Sequence, residues 1–485
     1  MDNKQNLKNK PARKSALDKF FKISERGSNV KTEIIAGLTT FFAMAYIIVV
    51  NPNQIVGFSF GVEGIDKIWN AVYIASILAA VIGTLLYAFY AKLPFAQACG
   101  MGLNSFFFVS FVLPQIARPG GNTIEGYRAG IVLILISGLI FLILSLTGAR
   151  EALAKAMPEC IKKSIPAGIG LFIAFIGFQN VGIITNNEYT LVQFVGLNIN
   201  TADWNAVAPA VVALLGFFII VVLTKLNVKG AVLISIFATS VIYYIATWQV
   251  PSLEMENIAQ SFKDFGEIGI TSVFDPQSWK NAFSPAFTGG IFSSIMLIIT
   301  FCIVDMFDTV GTLYGAAAEA NMLDKNGDPI NIDKAMTCDS VATVAGAVCG
   351  TSTCTTFVEC ASGVAAGGRT GFTSLVTSIC FAICLFLSPF ASIIPAAATA
   401  PALIYVGVLM LKNFAKVDMN DLRSAVPAFL ILIMMPLTYS IANGIGIASI
   451  AYVLITIFTG NYKKKDIAVT IVALLFLCKF LFGAI

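Results

Sequence analysis

Residues 352–368 read STCTTFVECASGVAAGG, and residues 95–108 read FAQACGMGLNSFFF. Each lies in a long apolar stretch, and neither reads as an ordinary helix. The first opens on β-branched, hydroxyl-bearing residues and passes into small ones, the order expected of a short extended segment running into a half-helix. The second follows Pro94 and carries Gly100 and Gly102. Irregular backbone survives at membrane depth only where protein buries it or it lines a cavity. The fold therefore depends on where these two stretches stand in the count of spans.

The 485-residue chain is 57% hydrophobic and 12% charged, whereas a soluble globular chain is about a quarter charged. A span needs about 20 mainly apolar residues. Candidate runs lie at 32–50, 71–91, 95–113, 129–148, 165–184, 207–224 and 230–248. A second set follows at 288–315, 336–350, 352–368, 372–388, 392–412, 424–441 and 444–460. The two broken stretches are third in each set of seven. Interrupted segments at matching positions of two halves point to a transporter and to its binding site. Seven is odd, so the second half must enter the membrane inverted. The expected fold is an all-α polytopic membrane protein with 14 transmembrane segments in a 7+7 inverted repeat. Spans 3 and 10 should each hold a short strand and a half-helix. A further run, 466–484, carries Lys479 and either spans or lies against the others.

Charge bias supports that count. With the N-terminus inside, the loops after even-numbered runs hold sixteen Lys/Arg and those after odd-numbered runs five, as the positive-inside rule requires. The first 31 residues hold nine Lys/Arg and no apolar run, which reads as a basic cytoplasmic tail and not as a signal peptide. A net charge of +4 gives no reason to expect a nucleic-acid partner. Ten cysteines form no C-x-x-C pair, so neither a disulfide framework nor a zinc site is expected. There is no histidine, which removes the commonest metal ligand and the usual near-neutral proton carrier.

Working outward from the broken spans, the eighth run contains IITFCIVDMFDTVGTLYG at 298–315. Each of Asp305 and Asp308 costs about 2.5–3.5 kcal/mol at the bilayer centre, so something must offset them. Spaced i, i+3, they share one helix face, which Thr312 and Gly315 extend. Bonding between neighbouring helices is the plain alternative to function. Glu359 stands where the tenth half-helix should start, and an acid there also complements the helix dipole. Asn104 follows GMGL near the start of the third half-helix, where an N-cap is the plain alternative. Phe106 or Phe107 could stack on a flat ligand, although lipid-facing packing is the commoner fate. Gly311 and Gly315, and Gly363 and Gly367, match a helix-packing pattern. Residues 324–334, DKNGDPINIDK, lack the glycine and glutamate of a calcium loop and read as a polar turn.

Four motifs in order, AGLTTFFAMAYIIVVNP (36–52), GMGLNSFFFV (100–109), DMFDTVGTLYGAAAEA (305–320) and GTSTCTTFVECASGVAAGGRTG (350–371), resemble the nucleobase–cation symporter-2 superfamily. More narrowly they resemble its AzgA-like branch of adenine/guanine/hypoxanthine permeases, over about residues 20–460. The resemblance implies a core domain of spans 1–4 and 8–11 (32–150 and 288–388). It implies a gate domain of spans 5–7 and 12–14 (151–287 and 389–485), after a cytoplasmic tail 1–31. It also implies that Asp305, Glu359 and Asn104 contact a purine nucleobase, and that Asp308 carries the driving proton. No cofactor is implied, and a homodimer stays open. The expected activity is import of adenine, guanine or hypoxanthine by proton symport at the cytoplasmic membrane, by alternating access.

Elimination points the same way for the proton. The acids expected at membrane depth are Asp305, Asp308 and Glu359, and two of them are given to the base. Two buried carboxylates on one helix face repel, which favours holding a proton there. Rival substrates on the same fold are xanthine, uracil and ascorbate. An inorganic anion would favour a basic residue, and the two broken runs have none. An intramembrane aspartyl protease, the enzyme alternative, would need a G-x-G-D motif that is absent.

Overall fold

The computed structural model describes residues 16–147, 157–195, 204–251, 257–319, 322–323 and 329–482. About half of the 1–31 tail, with Arg150, Lys155 and residues 252–256 and 324–328, lies outside them. Helices fall on all fourteen runs and on the fifteenth. Eight of the described helices are long and apolar enough to cross a membrane by length and composition, from Val30–Ile55 to Ile441–Phe458. Five more are apolar but shorter, among them Met101–Ala117 and Ile467–Leu481. The chain is a mostly helical, multi-pass membrane protein.

The elements that matter for function are α1 (Val30–Met44), α2 (Ile47–Ile55), β1 (Gln97–Cys99), α3 (Met101–Phe107), α4 (Ile291–Glu319), α5 (Ile332–Cys349), β2 (Cys354–Thr356) and α6 (Cys360–Ala365). The two broken runs are each a three-residue strand followed by a short helix. Their strands pair with each other, antiparallel, with Gln97 opposite Thr356, Ala98 opposite Thr355 and Cys99 opposite Cys354. Gly100 N donates to Thr353 O at 2.9 Å and Phe357 N to Ala96 O at 3.3 Å, extending the ladder at both ends. Each broken run thus satisfies backbone groups of the other, which extended chain away from water requires.

The outer edge of each strand is completed by one threonine. Thr84, from the helix Ile65–Leu86, accepts from Gln97 N at 3.1 Å and lies 3.3 Å from Gln97 O. Thr343, from α5, accepts from Cys354 N at 3.0 Å and lies 3.1 Å from Cys354 O. Two strands in different halves of the chain are thus held by the same device from the helix just before them.

Three features depart from the pattern of the runs. The first run is not one straight helix: α1 ends at Met44 and α2 begins at Ile47, and the break brings Tyr46 inside, 1% exposed. The fifth run stops as helix at Asn180 and gives way to a hairpin, Ile184–Asn187 against Leu191–Phe194. There Asn187 Oδ1 accepts from Tyr189 N and Thr190 N at 2.9 Å each, a side-chain turn that competes with helix. The loop after the seventh run is partly helical, and Asn257–Asp264 and Pro276–Ala282 pack on Ile65–Leu86 and Thr123–Thr147.

The long helices form two packed groups. In one, Gly371–Ile383 lies on α1 and on Ile65–Leu86, and α5 on Thr123–Thr147. In the other, Glu159–Asn180 lies on Ala396–Leu411 and Leu422–Leu437, and Trp204–Lys225 on Ala231–Thr247. The groups meet where Glu159–Asn180 touches α3 and α4. Gly102 makes that contact possible, since a Cβ there would run into Ile169 Cγ2. Gly363 plays the same part inside the first group, where a Cβ would meet Thr40 Oγ1 and, at 2.7 Å, Ala36 O.

Candidate substrate site

Because the ladder is antiparallel, α3 and α6 start from its opposite ends, and the polar side chains collect around it. Asp305, on α4, is 1% exposed. Its Oδ2 accepts from Thr343 Oγ1 at 2.9 Å, while the buried Oδ1 finds no hydrogen-bond partner among the described residues. A buried polar atom without a partner costs about 1–3 kcal/mol and calls for an explanation, such as a missing ligand. Asp308 lies one turn on, 7% exposed. A Cβ on Gly100 would lie 3.7 Å from its Oδ2, so it reaches the start of α3. Next to it, Thr309 and Thr355 share a 3.1 Å hydroxyl contact that ties α4 to β2.

Glu359 is the residue from which α6 starts, and its side chain does not cap that helix. Instead its Oε1 accepts from Tyr46 OH at 2.7 Å. The carboxyl also lies within electrostatic reach of Asp308. Asn104 is fully buried but is not an N-cap: Gly100 holds that position, and Asn104 sits inside α3. Its Nδ2 reaches Gln54 Oε1 at 3.4 Å, and its buried Oδ1 has no partner among the described residues. Gln54 Nε2 in turn donates to Ser105 Oγ at 3.2 Å. A small cleft opens beside this pair. Gln54, Ser105 and Phe108 line one side of it, and Ile176, Asn180 and Tyr439 the other. It therefore lies between the two helix groups.

Phe106 and Phe107 are buried against protein, not lipid. Phe106 packs on Phe301 with ring centroids 4.9 Å apart, and Phe107 on Phe111 at 5.0 Å. All ten cysteines are free thiols, and only Cys478 is exposed.

The count of three acids at membrane depth needs correction, because Asp339 belongs with them. It lies in the ninth run, on α5, fully buried. Its Oδ1 accepts from Tyr87 OH and Thr356 Oγ1 at 3.1 Å each, and from Gln97 Nε2. These donors explain why it is tolerated: both members of the Gln97–Thr356 strand pair end on one carboxylate. The signal was available, since Asp339 and Thr343 stand i, i+4 in a run whose average hides them. Glu33 in the first run was also passed over. It is buried and accepts from Arg369 N at 2.9 Å, Thr370 Oγ1 at 2.8 Å and Thr373 Oγ1 at 2.6 Å. Those contacts cap the helix Gly371–Ile383 and are structural. Tyr46 and Gln54 escaped notice because only the break after α1 and the packing of α2 bring them to the site.

The buried acceptors around the ladder offer hydrogen-bonding groups that a small polar ligand can use. The chain is 38% identical over 461 residues to the guanine/hypoxanthine permease PbuO of Bacillus subtilis (strain 168), covering 94% of this chain and 98% of that protein. It is 36% identical over 467 residues to the adenine permease AdeP of Escherichia coli (strain K12), covering 96% of each. The transmembrane domain of a cyanobacterium bicarbonate transporter, BicA, shares the fold with a TM-score of 0.57 at 14% identity, over 86% of this chain and 97% of that one. The family model described as Permease family matches residues 31–447, and with relatives of this identity along nearly the whole chain, the protein belongs to that permease family and is a transporter, not an enzyme.

Proposed function

We propose that this chain imports purine nucleobases across the cell membrane by proton symport. The observation that carries the substrate class is two buried acceptors without a partner among the described residues, Asp305 Oδ1 and Asn104 Oδ1, one on the helix packed against β2 and the other on the half-helix that follows β1. A purine edge offers ring N–H donors to carboxylates, and an Asn amide can both donate and accept. The half-helix N-termini offer backbone N–H groups to ring nitrogens or an exocyclic oxygen. The names of the relatives, adenine and guanine/hypoxanthine permeases, support the same class. In this assignment Asp305, Glu359 and Asn104 bind the base, and Asp308, beside Gly100, takes and releases the proton.

The membrane arrangement proposed with it is fourteen spans in two inverted repeats of seven, with the N-terminus in the cytoplasm. The Thr84–Gln97 and Thr343–Cys354 contacts support the repeat, because they join spans two and three in one half and nine and ten in the other. The two helix groups support a core domain (32–150 and 288–388) moving against a gate domain (151–287 and 389–485), with 257–282 resting on the core. The test is uptake of labelled hypoxanthine and adenine by proteoliposomes, with and without an acid-outside pH gradient. Accumulation that needs the gradient and is competed by unlabelled purines is expected. Competition by xanthine, uracil or ascorbate in their place would reassign the substrate, and gradient-independent uptake would reassign the coupling.

A further inference from the structure

Asp339 and Thr343 stand four residues apart on one face of α5, and Cys354 and Thr356 two residues apart on one face of β2. Four residues of helix rise about 6.0 Å and two residues of strand about 6.6 Å. The two elements can therefore meet point for point. They do, with Thr356 Oγ1 on Asp339 at 3.1 Å and Thr343 Oγ1 on both backbone polar atoms of Cys354. Thr84 serves Gln97 in the same way. What sets Thr343 apart is its further neighbour, Asp305 Oδ2 at 2.9 Å.

One hydroxyl carries one proton, and here two acceptors lie within its reach. Against a carboxylate the charge-assisted bond is the stronger, so the proton turns to Asp305. When Asp305 is itself protonated, the same oxygen can accept and turn its own proton to Cys354 O. The geometry points to Thr343 as the positioning residue of the substrate site. It holds Asp305 by one oxygen, leaves Oδ1 for the base, and fixes the angle of the carboxylate to the ladder from which both half-helices start. This inference rests on Asp305 being a substrate acceptor, and it makes Thr343 more than a strand support of the Thr84 kind.

The test is equilibrium binding of hypoxanthine to the purified full chain, comparing Thr343→Val, Thr343→Ser, Thr84→Val and Asp305→Asn, with Thr343→Val also placed on the Asp305→Asn background. Loss of one hydrogen bond to a charged group should weaken binding about tenfold or more in Thr343→Val. Thr343→Ser should restore it, and Thr84→Val should bind close to normally. On the Asp305→Asn background Thr343→Val should add little, because the shared bond is already gone. Equal losses in Thr84→Val and Thr343→Val, no rescue by Ser, or full additivity would overturn the assignment of Thr343. Normal binding by Asp305→Asn would overturn the reading of Asp305 instead. If Thr343→Val does not fold, Thr343→Cys, a weaker donor of similar size, should bind more weakly than Thr343→Ser, and equal binding by the two would overturn the assignment.

Discussion

Tyr46 OH stands 2.7 Å from Glu359 Oε1 and joins the break in the first run to the start of α6. The hydroxyl donates, so it orients the carboxyl without competing for a donor on the substrate. Tyr46→Phe should leave the fold intact and weaken hypoxanthine binding roughly fivefold to tenfold, the range for one net hydrogen bond of about 1–1.5 kcal/mol. Unchanged affinity by calorimetry would mean that Glu359 needs no such guide.

Asp308→Asn mimics a permanently protonated carboxyl. The variant should bind purine and exchange it across the bilayer, yet lose accumulation driven by a pH gradient. Proteoliposome uptake checks both. Continued accumulation against the concentration gradient would move the coupling site elsewhere, and the buried Asp339 would be the next candidate.

Gly102 lets α3 approach Ile169, and an added methyl must push that side chain aside. Overpacking of this kind costs about 1–3 kcal/mol. Gly102→Ala should lower the thermal midpoint, and should lower it much less when introduced on an Ile169→Ala background. An equal drop on both backgrounds would show that the contact is not what limits this site.

Glu33 receives three close donors at the start of the helix Gly371–Ile383. Glu33→Gln turns an amide NH₂ toward some of them, and the loss should be roughly 1.5–3 kcal/mol of stability. Purine affinity should hardly change. A variant that melts normally but binds poorly would contradict the purely structural role.

Much of this was legible from residue order, and the rest had physical reasons to stay hidden. Pro94, the glycines at 100 and 102, and the Thr-rich start at 352 marked the two broken spans, because local backbone preference decides them. Asp305, Asp308 and Glu359 stood out because charge is costly in an apolar run. The pairing of the two strands did not stand out, since their partners lie in different halves of the chain. Asp339 was lost in the average of a run that also holds Thr337, Ser340 and Thr343. Tyr46 became visible only through the break at Met44, which no proline or glycine announces. The N-cap alternative for Asn104 fails because α3 starts one turn earlier, with Gly100 as its cap.

The β1–β2 ladder joins residues more than 250 positions apart, and that separation governs how the chain is made. When the first half leaves the ribosome, Gln97–Cys99 has no strand to pair with, and bare backbone polar groups cannot rest in lipid. The stretch around Gln97–Cys99 must therefore wait, shielded by its neighbours or held at the membrane surface, until Cys354–Thr356 has been synthesised. Long-range pairing of this kind is slow to form. Assembly of the candidate site is thus among the last events of biogenesis, and a chain truncated before residue 354 is expected to be removed by quality control although the apolar helices Val30–Ile55 and Ile65–Ala91 are complete.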